Sequence, residues 1–176
     1  TLKLRLVGDV GDDMAKLVHS LYADADFAGC PRTMKSTSGI YLCVHGPTTH
    51  VPLAASSKKQ TAVSHSTPEA EIVAANAALK QAGIPLQNLW TVVAGYTPEL
   101  YFWEDNQAAI QILKNGRNPT MRYMGRTHRI NVAWLLERFK DPNIRLIYCE
   151  TLKQAADIFT KAFTEPVKWS RCLSMV

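Results

Sequence analysis

The sequence predicts an α/β fold, a five-stranded mixed sheet of three antiparallel strands followed by β/α units, flanked by helices. Three observations carry this reading. Short β-rich runs with tight connections fill residues 21–55. The hydrophobic period changes to that of a helix after Ser66. From there strand-like and helix-like runs alternate to the end. A chain of 176 residues with 47% hydrophobic residues is long enough for one domain with a substantial core.

The first strand covers 21–28, and the second, 38–44, is bounded by His45-Gly46-Pro47. The third, 49–55, contains Pro52, which weakens it or marks an edge or a bulge. Ser66-Thr67-Pro68-Glu69 supplies a hydroxyl cap, a first-turn proline and an acid, so a helix starts there and runs to about Gln81. Gly83 and Pro85 interrupt it, and Pro85 opens a second helix through Leu89, Trp90 and Val93. The fourth strand is 100–104. A helix follows from Asn106 to about Lys114, with Ala109, Ile110 and Leu113 at helical spacing. After the loop 115–119, a helix covers roughly Thr127 to Lys140, carrying Ile130, Trp134, Leu135 and Phe139. The fifth strand is 144–149, and a last helix starts near Lys153 and reaches about Phe163. Trp90, Trp103 and Trp134 are expected in the core.

Net charge is +5 and the pI about 9.1, a mild preference for a polyanionic partner. Cys30, Cys43, Cys149 and Cys172 form no C-x-x-C pair, which argues against zinc and for free thiols in a reducing compartment. No apolar run reaches the length of a membrane span. Residues 1–7 alternate like a strand and lack the h-region and cleavage site of a signal peptide.

Four carboxylates stand where a solvated surface acid is unexpected. Asp24 lies in an apolar run and Glu71 in an alanine-rich helix. Asp105 ends an aromatic strand, and Asp157 follows Ala155-Ala156. An acid among apolar neighbours costs desolvation unless something compensates, and four brought together need cations. A carboxylate-only set suits Mg²⁺. Asp24 and Asp105 become neighbours if their strands pair, and Glu71 reaches them if the small face Ala74, Ala75 and Ala78 lets its helix approach the sheet. Asp26 shares a strand face with Asp24. Glu69 reads as a capping or first-turn acid, and Glu104 as pointing to the opposite face, in solvent.

The segments Tyr22-Ala23-Asp24-Ala25-Asp26-Phe27-Ala28-Gly29, Lys35-Ser36-Thr37-Ser38-Gly39, Ser56-Ser57-Lys58-Lys59-Gln60, Ser66-Thr67-Pro68-Glu69-Ala70-Glu71, Asp105-Asn106-Gln107-Ala108-Ala109-Ile110, Arg126-Thr127-His128-Arg129-Ile130 and Ala156-Asp157-Ile158-Phe159-Thr160-Lys161 run in order through the chain. This ordered set resembles the ribonuclease H domain of copia-type (Pseudoviridae-like) LTR retrotransposon polyproteins. The resemblance implies a ribonuclease H-like fold over 20–163. Residues 1–19 are then an N-terminal extension or polyprotein segment adding an edge strand, and 164–176 a C-terminal tail.

The resemblance further implies an endoribonuclease that hydrolyses the RNA strand of RNA/DNA hybrids, as in reverse transcription. Asp24, Glu71, Asp105 and Asp157 would be both catalytic and metal-binding. Two Mg²⁺ ions, replaceable by Mn²⁺, would sit ~4 Å apart and serve both ends of an in-line displacement. Gly29, Thr67 and Gln107 fall where backbone and polar side chains contact the hybrid, and Ser66 where the DNA-strand phosphate is held. His128 is a phosphate contact or a packed histidine. Arg117, Arg122, Arg126 and Arg129, with Lys114, form the densest basic segment, which tracks phosphates or is a solvated face. Asp26 and Glu150 are auxiliary candidates. The partners implied are an RNA/DNA hybrid and a fused or associated reverse transcriptase, with no membrane. The isolated domain is expected to be a monomer, located inside the cell in the cytoplasm (a retrotransposon particle) or the nucleus.

Two departures stand out. The family's long first helix is interrupted by Gly83 and Pro85. The loop Cys149-Glu150-Thr151-Leu152-Lys153 lacks the mobile histidine of many cellular ribonucleases H, so protons must come from water or an acid such as Glu150. Alternatives are a transposase or integrase on the same fold, or a catalytically silent nucleic-acid-binding module. Against the first, such enzymes take their last acid as a glutamate. Against the second stands the intact quartet.

Overall fold

The structure, a computed structural model, describes residues 7–9 and 11–176. Strands β1 (Val18–Asp26), β2 (Thr37–His45) and β3 (His50–Lys59) form an antiparallel meander. β4 (Leu100–Glu104) pairs parallel with β1, and β5 (Ile144–Tyr148) parallel with β4. The order β3-β2-β1-β4-β5 makes the expected five-stranded mixed sheet with β1 at its centre. The register of β3 against β2 shifts beside Pro52, so this proline marks both an edge strand and a bulge. Of the N-terminal extension, Val7 bridges His50 on the free side of β3. Most of the alternating run 1–7 lies outside the described residues.

The helix α1 (Thr67–Ala78) starts as its sequence requires. Ser66 caps it, its Oγ accepting from the Glu69 N–H, and Pro68 sits in the first turn. Ala70, Ala74, Ala75 and Ala78 are fully buried, and these small side chains let the helix lie close on the sheet. The interruption expected at Gly83 and Pro85 does not occur. α1 runs through a π-helical turn (Leu79–Gly83) into α2 (Ile84–Ala94). Pro85 lacks an N–H, and its ring crowds the carbonyl four residues back. The wider turn just before it relieves both problems, with Ile84 N–H donating five residues back to the Leu79 carbonyl. Gly83 is a contact point and not a break. A methyl group there would meet Leu100 at 2.8 Å and Leu21 at 2.9 Å.

After β4, α3 (Gln107–Asn115) is capped by Asn106 and closed by Gly116 in the left-handed region. The single helix expected over 127–140 is two: α4 (Met124–Thr127) and α5 (Val132–Phe139). Arg129 takes a positive φ between them, and the Asn131 side chain caps α5, accepting from Ala133 and Trp134. The helix expected at 153–163 is likewise replaced, by two tight 3-10 turns, Thr151–Lys153 and Ala155–Phe159. Its backbone is pulled onto the sheet by tertiary contacts that override local helical preference. The expected tail contains α6 (Pro166–Ser174), whose Cys172 is buried. Among the described residues, no helix is long and apolar enough to cross a membrane.

The main core lies between the sheet and α1, α3 and α5, around Leu21, Ile72, Leu79, Phe102, Leu113 and Leu135. Trp90 and Trp134 pack at its margin. Trp103 instead stacks on Tyr22 and Tyr101, its indole N–H donating to Ser20. All four cysteines are free.

Gly83→Ala tests the close approach. Alanine favours a helix over glycine by about 1 kcal/mol, whereas overpacking a core costs about 1–3 kcal/mol. The variant should therefore unfold at lower urea concentration than the parent. A higher midpoint would mean that Leu21 and Leu100 do not confine this turn.

Candidate metal centre

β1 and β4 pair only from His19 to Tyr22, against Leu100 to Trp103. Beyond that the paired ladder ends, and acids collect at the carboxyl ends of the two strands. That is where open parallel sheets place their sites. Asp24 lies near the end of β1 and is buried. Asp105 follows β4 and is half-buried. Glu71 projects from α1 and is buried, as is Asp157 in the second 3-10 turn. Oxygens of Asp24, Asp105 and Asp157 lie within 4.8 Å of one another. So do oxygens of Glu71, Glu104 and Asp105. The predicted quartet is thus brought to one place, with Asp105 belonging to both groups.

Glu104 corrects the sequence reading. It is fully buried and faces the cluster, not solvent. Along β4 the buried positions are Leu100, Phe102 and Glu104, so strand alternation puts Glu104 on the core side. Asp105 lies after the strand ends, where the chain turns into α3, and alternation no longer governs it. The parity of Leu100 and Phe102 was the available signal.

The segment carrying Asp157 is fixed by residues to which the sequence alone assigns no role. Gln154 is fully buried, and its side-chain amide donates to the Ala23 carbonyl at 2.9 Å. Gly39, paired with Asp24 across β1 and β2, makes room for the turn. A methyl there would lie 2.8 Å from the Ala156 carbonyl. Thr160 donates its hydroxyl to Asp24. Lys161 places its ammonium 2.6 Å from Asp157 Oδ1 and 3.7 Å from Asp24 Oδ1, a cation between two of the acids. Its spacing of four residues from Asp157 was the readable clue.

Burial sets the electrostatics. Desolvation first, then Glu104, Asp24 and Asp105, push Glu71 up to about 11. Glu104 is raised well above the carboxylate range by its complete burial. Asp24 is raised by desolvation, against the pull of Lys161. Asp157 is pushed up to about 6 by desolvation and the charge of Asp24. One oxygen of Glu71 and one of Glu104 are buried without a hydrogen-bond partner.

The remaining candidates lie around this centre. Asp26, half-exposed, folds its carboxylate against Gly29, where a side chain would collide with it. Ser66 is half-buried at the N-cap of α1, while Thr67 and Gln107 are exposed at the first positions of α1 and α3. Glu150 is exposed and pairs with Lys153 at 3.3 Å. Arg117, Arg122, Arg126 and Arg129 are exposed. The side chain of His128 is 1% exposed, its Nε2 2.9 Å from Glu69. The structure thus gives the packed arrangement for this histidine and not a surface contact. Glu69 also accepts from Tyr123 and from the His65 N–H, so it is the first-turn acid expected and an anchor for the approach to α4.

No protein-family model and no curated protein matches the chain. A solved structure does: LC11-RNase H1, isolated from compost by a metagenomic approach. The TM-score is 0.54 at 17% identity, covering 81% of this chain and 92% of that chain. The chain has a ribonuclease H-like fold. At this identity the likeness is one of fold. In the ribonuclease H-like sheet described above, the buried acids come from β1, α1, the end of β4 and the last 3-10 turn.

Metal and protons should compete at this centre. A carboxylate raised in the folded protein contributes stability that is complete below its unfolded value and is lost as pH rises through its folded value. For Asp157 that window runs from 3.8 to about 6. The gain in melting temperature on adding Mg²⁺ to chelated protein should therefore grow as pH rises through this window. Comparing the two states at each pH cancels groups outside the centre. A pH-independent gain would separate metal binding from Asp157.

Proposed function

We propose that this chain hydrolyses the RNA strand of RNA/DNA hybrids at the acidic centre. Its setting would be the ribonuclease H domain of a copia-type retrotransposon polyprotein, acting in reverse transcription. The observation carrying this reading is the convergence of Asp24, Glu71, Asp105 and Asp157 within two overlapping groups, each within 4.8 Å. The donor set fits Mg²⁺ or Mn²⁺: it is all oxygen, three of its four acids are buried, and one oxygen of Glu71 lacks a partner. Asp24, Asp105 and Asp157 would hold one ion and Glu71 with Asp105 a second. Bound there, the pair would supply an activated water and charge stabilisation for the leaving 3′-oxygen.

The protein's own groups do the rest. Thr160 orients Asp24, and Gln154 holds the Asp157 turn on β1. Lys161 offsets acidic charge on the Asp24–Asp157 side before substrate arrives. Gly29, Thr67 and Gln107 would meet the hybrid, Ser66 the DNA-strand phosphate, and the exposed arginines the flanking phosphates. His128, bonded to Glu69, would position this surface from beneath. Asp26 would assist from the rim.

Labelled RNA/DNA, double-stranded RNA and double-stranded DNA should be offered in Mg²⁺. Cleavage confined to RNA in the hybrid is expected. Cleavage of duplex DNA points to a transposase-type nuclease, and binding without cleavage to a silent module. Asp105→Asn should abolish cleavage yet leave the metal-free melting temperature level or higher, because it removes repulsion. Near-normal turnover would exclude Asp105 from the site.

Protonation of the leaving group has no loop histidine to draw on. Glu150→Gln should slow turnover at saturating hybrid by about ten-fold or more, with little change in KM. A change in KM alone would assign Glu150 to substrate binding.

A further inference from the structure

We infer that Glu104 is a fifth acidic ligand, holding a hard divalent cation together with Glu71 and Asp105. This rests on the metal-dependent reading above and goes beyond its four acids. Three facts single out Glu104. Its side chain is completely buried, and it offers an oxygen within 4.8 Å of ligand oxygens of both Glu71 and Asp105. Its Oε1 is fixed by the Asn106 N–H at 3.1 Å, which locks the carboxylate in place. Its Oε2 is buried with no hydrogen-bond partner, and so is Oε2 of Glu71.

Two neighbouring acids that each bury an unpartnered carboxylate oxygen call for a cation or a shared proton. Lys161 is engaged at the other end of the centre, with Asp157 and Asp24. Among the described residues, no lysine, arginine or histidine makes an ion pair with Glu71 or Glu104, so protons hold this end of the centre until a divalent ion displaces them and satisfies both acids. Three carboxylates of which two are fully sequestered provide more ligand charge than Glu71 and Asp105 alone. This ion should therefore be retained before substrate phosphate completes its shell. Asp105, common to both groups, would link the two cations.

The test is Mg²⁺ titration of the full chain by calorimetry, without nucleic acid, repeated with Mn²⁺ read by electron paramagnetic resonance. Glu104→Gln keeps the acceptor for Asn106 and removes the charge. It should weaken cation affinity by about ten-fold or more and shrink the metal-induced rise in melting temperature. Its metal-free melting temperature should be unchanged or higher. An unchanged isotherm and an unchanged thermal gain would overturn the proposal and leave Glu104 a buried, protonated acid.

Asp105→Asn is the control. If it too binds metal normally, the metal-centre reading itself fails. If it loses binding while Glu104→Gln keeps it, only the fifth ligand fails. Should Glu104→Gln not fold, the parent carries the test through the side-chain carboxyl ¹³C resonances of its glutamates. Glu104 and Glu71 should both shift as Mg²⁺ is added, and a shift of Glu71 alone would overturn the inference.

Discussion

Mutual repulsion among carboxylates taken out of water is the constraint around which this molecule is arranged. Asp24, Glu71, Glu104 and Asp157 are each buried, and Asp105 is half-buried beside them. Left to itself such a group would separate, take up protons or draw in water. Separation is prevented because the acids sit on elements that cannot move independently. β1 and β4 are central strands, α1 is pressed on the sheet through alanines, and the last turn is bonded to β1 by Gln154. What remains is compensation. Lys161 provides it at one end of the centre, and protons or metal must provide it at the other.

That constraint explains positions that carry no chemistry. Gly39 is glycine because the Asp157 turn crosses β2 where a side chain would strike the Ala156 carbonyl. Gly83 is glycine because the helix runs close over Leu21 and Leu100. Gln60, at the end of β3, donates to Ser38 on β2 and to the Ala70 carbonyl on α1, so it ties the meander to the helix that carries Glu71. Six of the seven ordered segments that carry the family resemblance thus resolve into a space for a turn at Gly39, a tie between layers at Gln60 and the four acids. Their order along the chain reflects the order in which the elements enclose one cleft.

The sheet was legible because its signals were local. Pro52 announced an edge and a bulge, and Ser66-Thr67-Pro68-Glu69 announced α1. The convergence of the four acids was legible because each stood in an apolar context and all four fell, in order, in the segments of the family resemblance. Where reading failed, a distant contact decided. Pro85 reads as a helix breaker, yet packing on Leu21 and Leu100 carries the helix through by widening one turn. The run 127–140 reads as one helix, yet Glu69, far away in sequence, anchors Tyr123 and His128 and so fixes the chain ahead of Arg129. Glu104 was misplaced by counting alternation back from Asp105, when the apolar parity of Leu100 and Phe102 was the sounder guide.

The network at Glu69 shows how a polar group can serve the site without entering it. This buried carboxylate accepts from His128, Tyr123 and the His65 backbone, and it stands two residues before Glu71 on the same helix. An unpaired buried acid would destabilise the first turn of α1, whereas three donors make it a fixed joint between that turn and the arginine-bearing loop. The two glutamates are thus separated by environment. Glu69 is saturated with donors and structural, and Glu71 keeps an oxygen free. Because the same short helical stretch carries both, a shift in the basic loop would be felt at Glu71 through a single turn of α1.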